Sequence, residues 1–318
     1  MKSIIEIRSD RRGISTLLIA VIIVIIVVAI VAVAAFVIFS GNSSNHGATE
    51  PPNGGGGIIA PGTTVSGEFS SASGTYMSEH NYIGQNADNY FVEETNADDP
   101  PYYYLEPKDN ANNVPTGAVK VGDDTIDTKF GPKDVEIWEY TQTQDGSSMF
   151  TKAYVDPTYK WLVYLGEITD SGGNTTTYTL QDYNIVLQTS YSESNAIGKT
   201  YQYSFLTGTY TFPAYVTCIA DCLNGQYGMM YDFSKLISGE VIYYLSDNIQ
   251  GLPVDAYTNG ETSKLTGTID GDVSVQIWYL KDIQALSFYY ESKSHVIYEI
   301  VITPPSGSPA VFSLVKKA

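Results

Sequence analysis

The sequence predicts an N-terminal transmembrane helix followed by a mostly antiparallel all-β ectodomain made of two duplicated β-domains. Three observations carry this. Residues 14–39 are one unbroken apolar run without charge, Pro or Gly, and its 26 positions reach about 39 Å as a helix, more than the ~30 Å of a bilayer's hydrocarbon core. The rest of the chain is rich in Tyr, Thr, Val and Ser, with all 26 tyrosines from Tyr76 onward and no Arg after Arg12. That is the composition of solvent-facing sheet. Finally, four short motifs occur twice in the same order.

The membrane segment sets the topology. Lipid offers no partners to the backbone, so such a run must be helical. Lys2, Arg8, Arg11 and Arg12 precede it, and no Lys or Arg follows until Lys108. This asymmetry keeps residues 1–13 in the cytoplasm and places everything after residue 39 outside the cell. The run is too long for a secretory signal peptide. Arg11-Arg12-Gly13 followed by Ile14-Ser-Thr-Leu-Leu resembles the class III signal peptide of archaeal type IV pilin-like proteins, over about residues 8–39. The resemblance implies cleavage between Gly13 and Ile14 by a prepilin-type peptidase, with the apolar helix retained. Leu18 stands where bacterial pilins carry Glu at the fifth mature position. The alternative is an uncut signal anchor.

The formal net charge is −18. The leader contributes +2, which leaves −20 for the remainder. This disfavours nucleic acid and anionic headgroups as partners, since both require basic patches, and no nucleic-acid partner is expected.

After the membrane, residues 40–67 read as a flexible Gly/Ser/Pro linker, with Gly54 to Gly57 in its middle. Asn42 there, and Asn174 farther on, match N-glycosylation acceptors. From Phe69 onward, short β-branched and aromatic runs alternate with turns. Val135-Glu-Ile-Trp-Glu-Tyr140 has the period of a half-buried strand, and strands are also expected at 161–165, 177–180, 184–187 and 201–205. Residues 144–147 and 170–174 carry turn chemistry. Residues 219–236 have room for one short helix.

The repeats pair Gly74-Thr-Tyr76 with Gly208-Thr-Tyr210, Thr125-Ile-Asp127 with Thr268-Ile-Asp270, and Val135-x-Ile-Trp138 with Val275-x-Ile-Trp278. The fourth pairs Tyr164-x-x-x-Ile-Thr169 with Tyr298-x-x-x-Ile-Thr303. Offsets of 134 to 143 read as a duplication whose copies span 68–195 and 200–318. Trp138 and Trp278 are expected to anchor the two cores. Asp98 to Pro107 reads as an insertion in the first copy, on a loop rim.

The chemistry is sparse. Cys218 and Cys222 stand four apart, which leaves open a local disulfide, free buried thiols, or a metal site for which His46, His80 and His295 lack ligand spacing. The disulfide is the expectation outside the cell. Asp170-Ser-Gly172 has an aspartic-protease outline, but its counterpart Pro305-Ser-Gly307 lacks a carboxylate, so it reads as a turn. Asp98-Asp99, Asp123-Asp124 and Asp270-Gly-Asp272 fit no EF-hand and read as solvated loops. With no nucleophile elbow, metal motif or phosphate loop, the reading is non-enzymatic and without a cofactor. Two functions compete. One is a pilin-like or adhesive surface protein contacting the bilayer through 14–39, itself or other envelope proteins. The other is a tethered receptor for a sugar, peptide or lipid.

Overall fold

The computed structural model describes residues 58–96, 101–111, 114, 117–144, 147–207, 210–234, 241–280, 286–303 and 308–318. The leader, the Gly13–Ile14 junction, the apolar run and Asn42 lie outside the described residues, among which no helix is long and apolar enough to cross a membrane. The described chain is mostly antiparallel β-structure. It begins with β1 (Ile58–Ile59), β2 (Thr64–Ser71), β3 (Gly74–Gln85), β4 (Asn89–Asn96), β5 (Tyr102–Pro107) and the helical turn α1 (Lys108–Ala111). There follow β6 (Val119–Thr128), β7 (Gly131–Gln144), β8 (Ser147–Val155), β9 (Val163–Thr169), β10 (Thr175–Asn184) and β11 (Leu187–Gln188). The rest is β12 (Thr200–Thr207), β13 (Tyr210–Cys222), β14 (Tyr227–Asp232), β15 (Val241–Ser246), β16 (Ala256–Tyr257), β17 (Thr262–Thr268), β18 (Gly271–Leu280), β19 (Leu286–Glu291), β20 (Val296–Ile302) and β21 (Ala310–Lys316).

Hydrogen-bond register arranges these strands as two series. The first runs β5-β4-β3-β2-β10-β9-β8-β7-β6. The second runs β15-β14-β13-β12-β21-β20-β19-β18-β17, with β16 also on β18. The order is the same in both. They join where β3 meets β13, through Gly84 opposite Cys222 and Gln85 opposite Asp221. Bulges interrupt several pairs in each series, for instance between Tyr82 and Gly84 and between Cys218 and Ala220, and bend the strands that carry them.

Local chemistry repeats as well. The β6–β7 turn has Thr128 Oγ1 donating to the Gly131 carbonyl at 2.8 Å, and the β17–β18 turn has Thr268 Oγ1 donating to that of Gly271 at 2.7 Å. Both glycines sit near φ +88°, a conformation that a side chain would strain. Val135 and Val275 stand at matching positions of β7 and β18. Tyr76 falls two residues out of register with Tyr210, and Thr125-Ile-Asp127 three out of register with Thr268-Ile-Asp270. A match at an offset of 140 joins Tyr103-Tyr-Leu105 of β5 to Tyr243-Tyr-Leu245 of β15.

Several expectations are corrected. The linker does not extend to residue 67. Ile59 and Thr63 are fully buried, Tyr90 Oη donates to the Ile59 carbonyl at 2.8 Å, and β2 is already sheet. The apolar Ile58-Ile59 pair and the alternation through Phe69 outweigh the Gly/Pro content before them. Of the span 219–236, the described residues 219–234 hold no α-helix; they carry the end of β13, its turn at Leu223–Gly225 with Asn224 and Gly225 at positive φ, and β14. The expected strand at 161–165 begins at Val163, and that at 184–187 is broken between β10 and β11. The expected insertion contains strand β5.

The tryptophans are not the core anchors. Both are half-buried, because each lies on the strand next to a largely exposed edge. Trp138 Nε1 donates to Glu136 Oε2 at 3.1 Å, in a cluster where Glu136 pairs with Lys120 and Lys160. The cores rest instead on Phe69, Tyr90 and Phe91 in the first series and on Tyr203, Tyr231 and Phe288 in the second. Tyr203 buries its hydroxyl against the Ile297 carbonyl at 2.9 Å.

Candidate functional site

The concave face of the first series encloses a half-open cavity of about 100 Å³. Its wall is mostly apolar and aromatic, drawing Phe69 from β2, Tyr82 from β3, Tyr140 from β7, Tyr178 from β10 and Trp161 from the loop before β9. The second series explains why space is left here. Ala153 faces Trp138 and Gly166 across its neighbouring strands, whereas Phe288, at the matching place, faces Trp278 and Ile300. Thr151, opposite Ile168, matches Leu286, opposite Ile302. Thr151, Ala153 and Gly166 therefore line a void, while Leu286, Phe288 and Ile300 fill the equivalent one and are almost wholly buried. Interiors pack densely, so three adjacent small residues leave room that larger ones would occupy.

The same contrast holds on β3, β4 and β5. His80, Glu94 and Tyr102 form one row of cross-strand partners, and Tyr82, Val92 and Tyr104 the next. The matching rows of the second series are Val216, Tyr231 and Ile242, then Cys218, Met229 and Tyr244. Where the first series places an imidazole and a carboxyl, the second packs apolar side chains. Glu106, opposite Tyr90, matches Ser246, opposite Tyr227. Ser246 Oγ lies 2.7 Å from the Leu252 carbonyl and 2.9 Å from that of Asn248, holding the following loop down on its core. A Cβ on Gly251 would come within 2.9 Å of Val216 Cγ1, which shows how closely that loop seals the second series.

Glu106 is 2% exposed, lines the cavity, and its Oε2 has no hydrogen-bond partner among the described residues. Burial pushes its pKa well above the usual carboxylate range, against the opposing hydrogen bond from Tyr82. Burial also raises Glu94, despite bonds from Ser78 and Asn96. His80 also lines the cavity, and burial lowers its pKa to about 4, which favours the neutral imidazole. Its Nδ1 lies 3.1 Å from Tyr104 Oη, and its Nε2 lies 3.2 Å from Ser78 Oγ, which donates to Glu94 Oε1 at 3.3 Å. This Ser–His contact lacks a nucleophile's placement. Ser78 is 1% exposed and off the cavity wall, and a neutral imidazole of such low pKa is a weak base.

A pH test follows. An acid whose pKa rises on folding contributes its stability below its unfolded pKa and loses it as pH rises through the folded value. Glu106→Gln, compared with the parent at the same pH so that the opposite contribution of His80 cancels, is expected to stabilise the chain by about 1–3 kcal/mol at pH 8 and hardly at all at pH 4. Thermal unfolding at the two pH values checks this, and an equal effect at both would contradict a buried, unpaired acid.

The other expected site residues lie elsewhere. Cys218 and Cys222 are free thiols, which corrects the expected disulfide. Four residues along one extended strand span about 13 Å, beyond the ~7 Å Cα limit for a bridge. Burial raises both thiols, Cys218 to about 12, so neither is a ready nucleophile. Asn174 sits on an exposed turn, its amide donating to Asp170 Oδ2 at 2.8 Å. Asp170 Oδ1 accepts from the amides of Gly172 and Asn174, the geometry of a turn. Asp123 pairs with Lys120 at 2.6 Å, Asp272 with Lys264 at 3.3 Å, and Asp270 with Lys317. Among the described residues no three metal-ligating side chains converge.

No family model and no curated protein matches the chain. Among solved structures, it is similar to MucB in complex with MucA(peri), at 6% identity and a TM-score of 0.28, over 79% of this chain and 86% of that one. The complex of MucA and MucB from Pseudomonas aeruginosa matches at 8% identity and a TM-score of 0.27, over 79% and 87%. A protein of unknown function from Nostoc punctiforme matches at 9% identity and a TM-score of 0.15, over 81% and 96%. At TM-scores this low the likeness decides neither the fold nor the function of this chain.

Proposed function

We propose that this chain is a non-enzymatic, membrane-anchored extracellular receptor module whose first β-domain binds a small or slender, mainly apolar ligand. The observation that carries this is the aromatic-lined cavity beside Thr151, Ala153 and Gly166, at register positions that Leu286, Phe288 and Ile300 fill in the second series. A void of about 100 Å³ is below the ~300–1,000 Å³ of drug-sized sites and resembles apolar cavities that accept a single benzene or xenon. A folded sugar is disfavoured by the scarcity of polar groups on the wall. Titration of the full chain in a maltoside detergent with hexan-1-ol tests the reading: one saturable equivalent is expected, and no binding would sink it.

The common strand order and matching turns support a duplication with divergent use, one copy open and the other sealed. The apolar run and its basic flank support the bilayer anchor, and Arg11-Arg12-Gly13 supports pilin-type processing, so the mature chain should begin at Ile14 in mass spectrometry; an intact leader would contradict processing. A contact role with other envelope proteins is a second reading, favoured by Val119 and Val121, exposed on edge strand β6.

A further inference from the structure

Among the described residues the cavity wall carries an acid and no Lys or Arg. Glu106 reaches it, Glu94 lies in the row of His80 beside it, and the residues that line it include Tyr82, Tyr140, Trp161, Tyr178 and Phe69. A neutral polar ligand could offer Glu106 one hydrogen bond. A cation gains more: the faces of aromatic rings attract positive charge, Trp most strongly, and the attraction grows where water is excluded. The strongly acidic body outside the leader also concentrates cations around the cleft.

We propose that the cavity selects an organic cation, an ammonium group carried on a short apolar body, with Glu106 as counter-ion and the surrounding rings as its cage. The inference rests on the ligand-binding reading above. Burial without a cation to pair with pushes Glu106 in the empty site toward its protonated form. On binding, the Glu106 O–H bond breaks and its proton passes to solvent, the carboxylate pairs with the ammonium, and the ligand keeps all of its own protons. One proton is released per ligand bound. Tyr82, already hydrogen-bonded to Glu106, holds the carboxylate in place.

Hexylammonium, hexan-1-ol and hexanoate share a chain and differ only in the head. Calorimetric titration of the full chain in maltoside, at pH 7 in two buffers of different ionisation enthalpy, gives both affinity and proton count. Hexylammonium is expected to bind at least tenfold tighter than hexan-1-ol, with hexanoate weakest, and to release close to one proton. Glu106→Gln keeps a polar partner for Tyr82 but cannot become an anion. It should bring hexylammonium down to the affinity of hexan-1-ol and abolish the proton release. If hexan-1-ol or hexanoate binds as well as the amine, or if the Gln variant retains the preference, the cation reading is overturned and the apolar site survives. If none of the three binds, both fail. Proton counting on the unsubstituted chain stands independently of how the variant folds.

Discussion

Gly84→Ala is expected to separate the unfolding of the two sheets. Gly84 lies at the bulge of β3, opposite both Phe91 and Cys222. A Cβ there would sit 2.4 Å from Cys222 Sγ and 2.7 Å from the Asp221 carbonyl oxygen. The second contact is with backbone, which cannot swing aside, so β3 and β13 must part. Among the described residues, two register pairs join the series at this seam. The rest is side-chain packing around Phe91, Tyr103, Ile219 and Ala220, and hydrogen bonds such as Asn86 Nδ2 to the Ile219 carbonyl at 2.7 Å. Overpacking of a tight site costs about 1–3 kcal/mol or more, and here the loss also uncouples two cores. Calorimetry should show one transition in the parent and two, the first at least several degrees lower, in the variant. A single unshifted transition would mean that the seam does not couple them.

Ala153→Phe should remove hexan-1-ol binding altogether while leaving the fold intact. It installs in β8 the residue that β19 carries as Phe288, at the same place opposite a Trp, and the added ring has the void to enter. Burying a benzyl group on that scale stabilises rather than strains where the space exists, by up to about 2 kcal/mol. The mirror change, Phe288→Ala, opens the sealed side. Phe288 is fully buried, with its ring 5.9 Å from that of Tyr231, so its loss should destabilise the chain by about 3–5 kcal/mol. Melting temperature and hexan-1-ol titration read both variants. Undiminished binding by Ala153→Phe would place the ligand elsewhere.

The β character was legible because Val135 to Tyr140 and its neighbours alternate at the strand period, and the turn at Asp170 because Asp, Gly and Asn act through short-range bonds that sequence alone specifies. The cavity was not legible. Thr151, Ala153 and Gly166 are ordinary strand residues one at a time, and only the register that sets Ala153 against Gly166 shows a hole. Glu106 was hidden differently: an acid beside Pro107, after two aspartates and two prolines, has the look of a solvated loop. The signal that could have exposed it was Tyr103-Tyr-Leu105 recurring as Tyr243-Tyr-Leu245, which marks strand β5 and pairs Glu106 with the buried Ser246. His80 carried no ligand spacing, and its row with Glu94 arises across strands rather than along the chain.

Diffraction from crystals of the unsubstituted chain held under xenon asks most directly whether one sheet is open and the other sealed. Xenon should bind in the first series against Thr151, Ala153 and Gly166, with none beside Phe288 and Ile300. An empty first sheet, or equal occupancy in the second, would contradict the receptor reading.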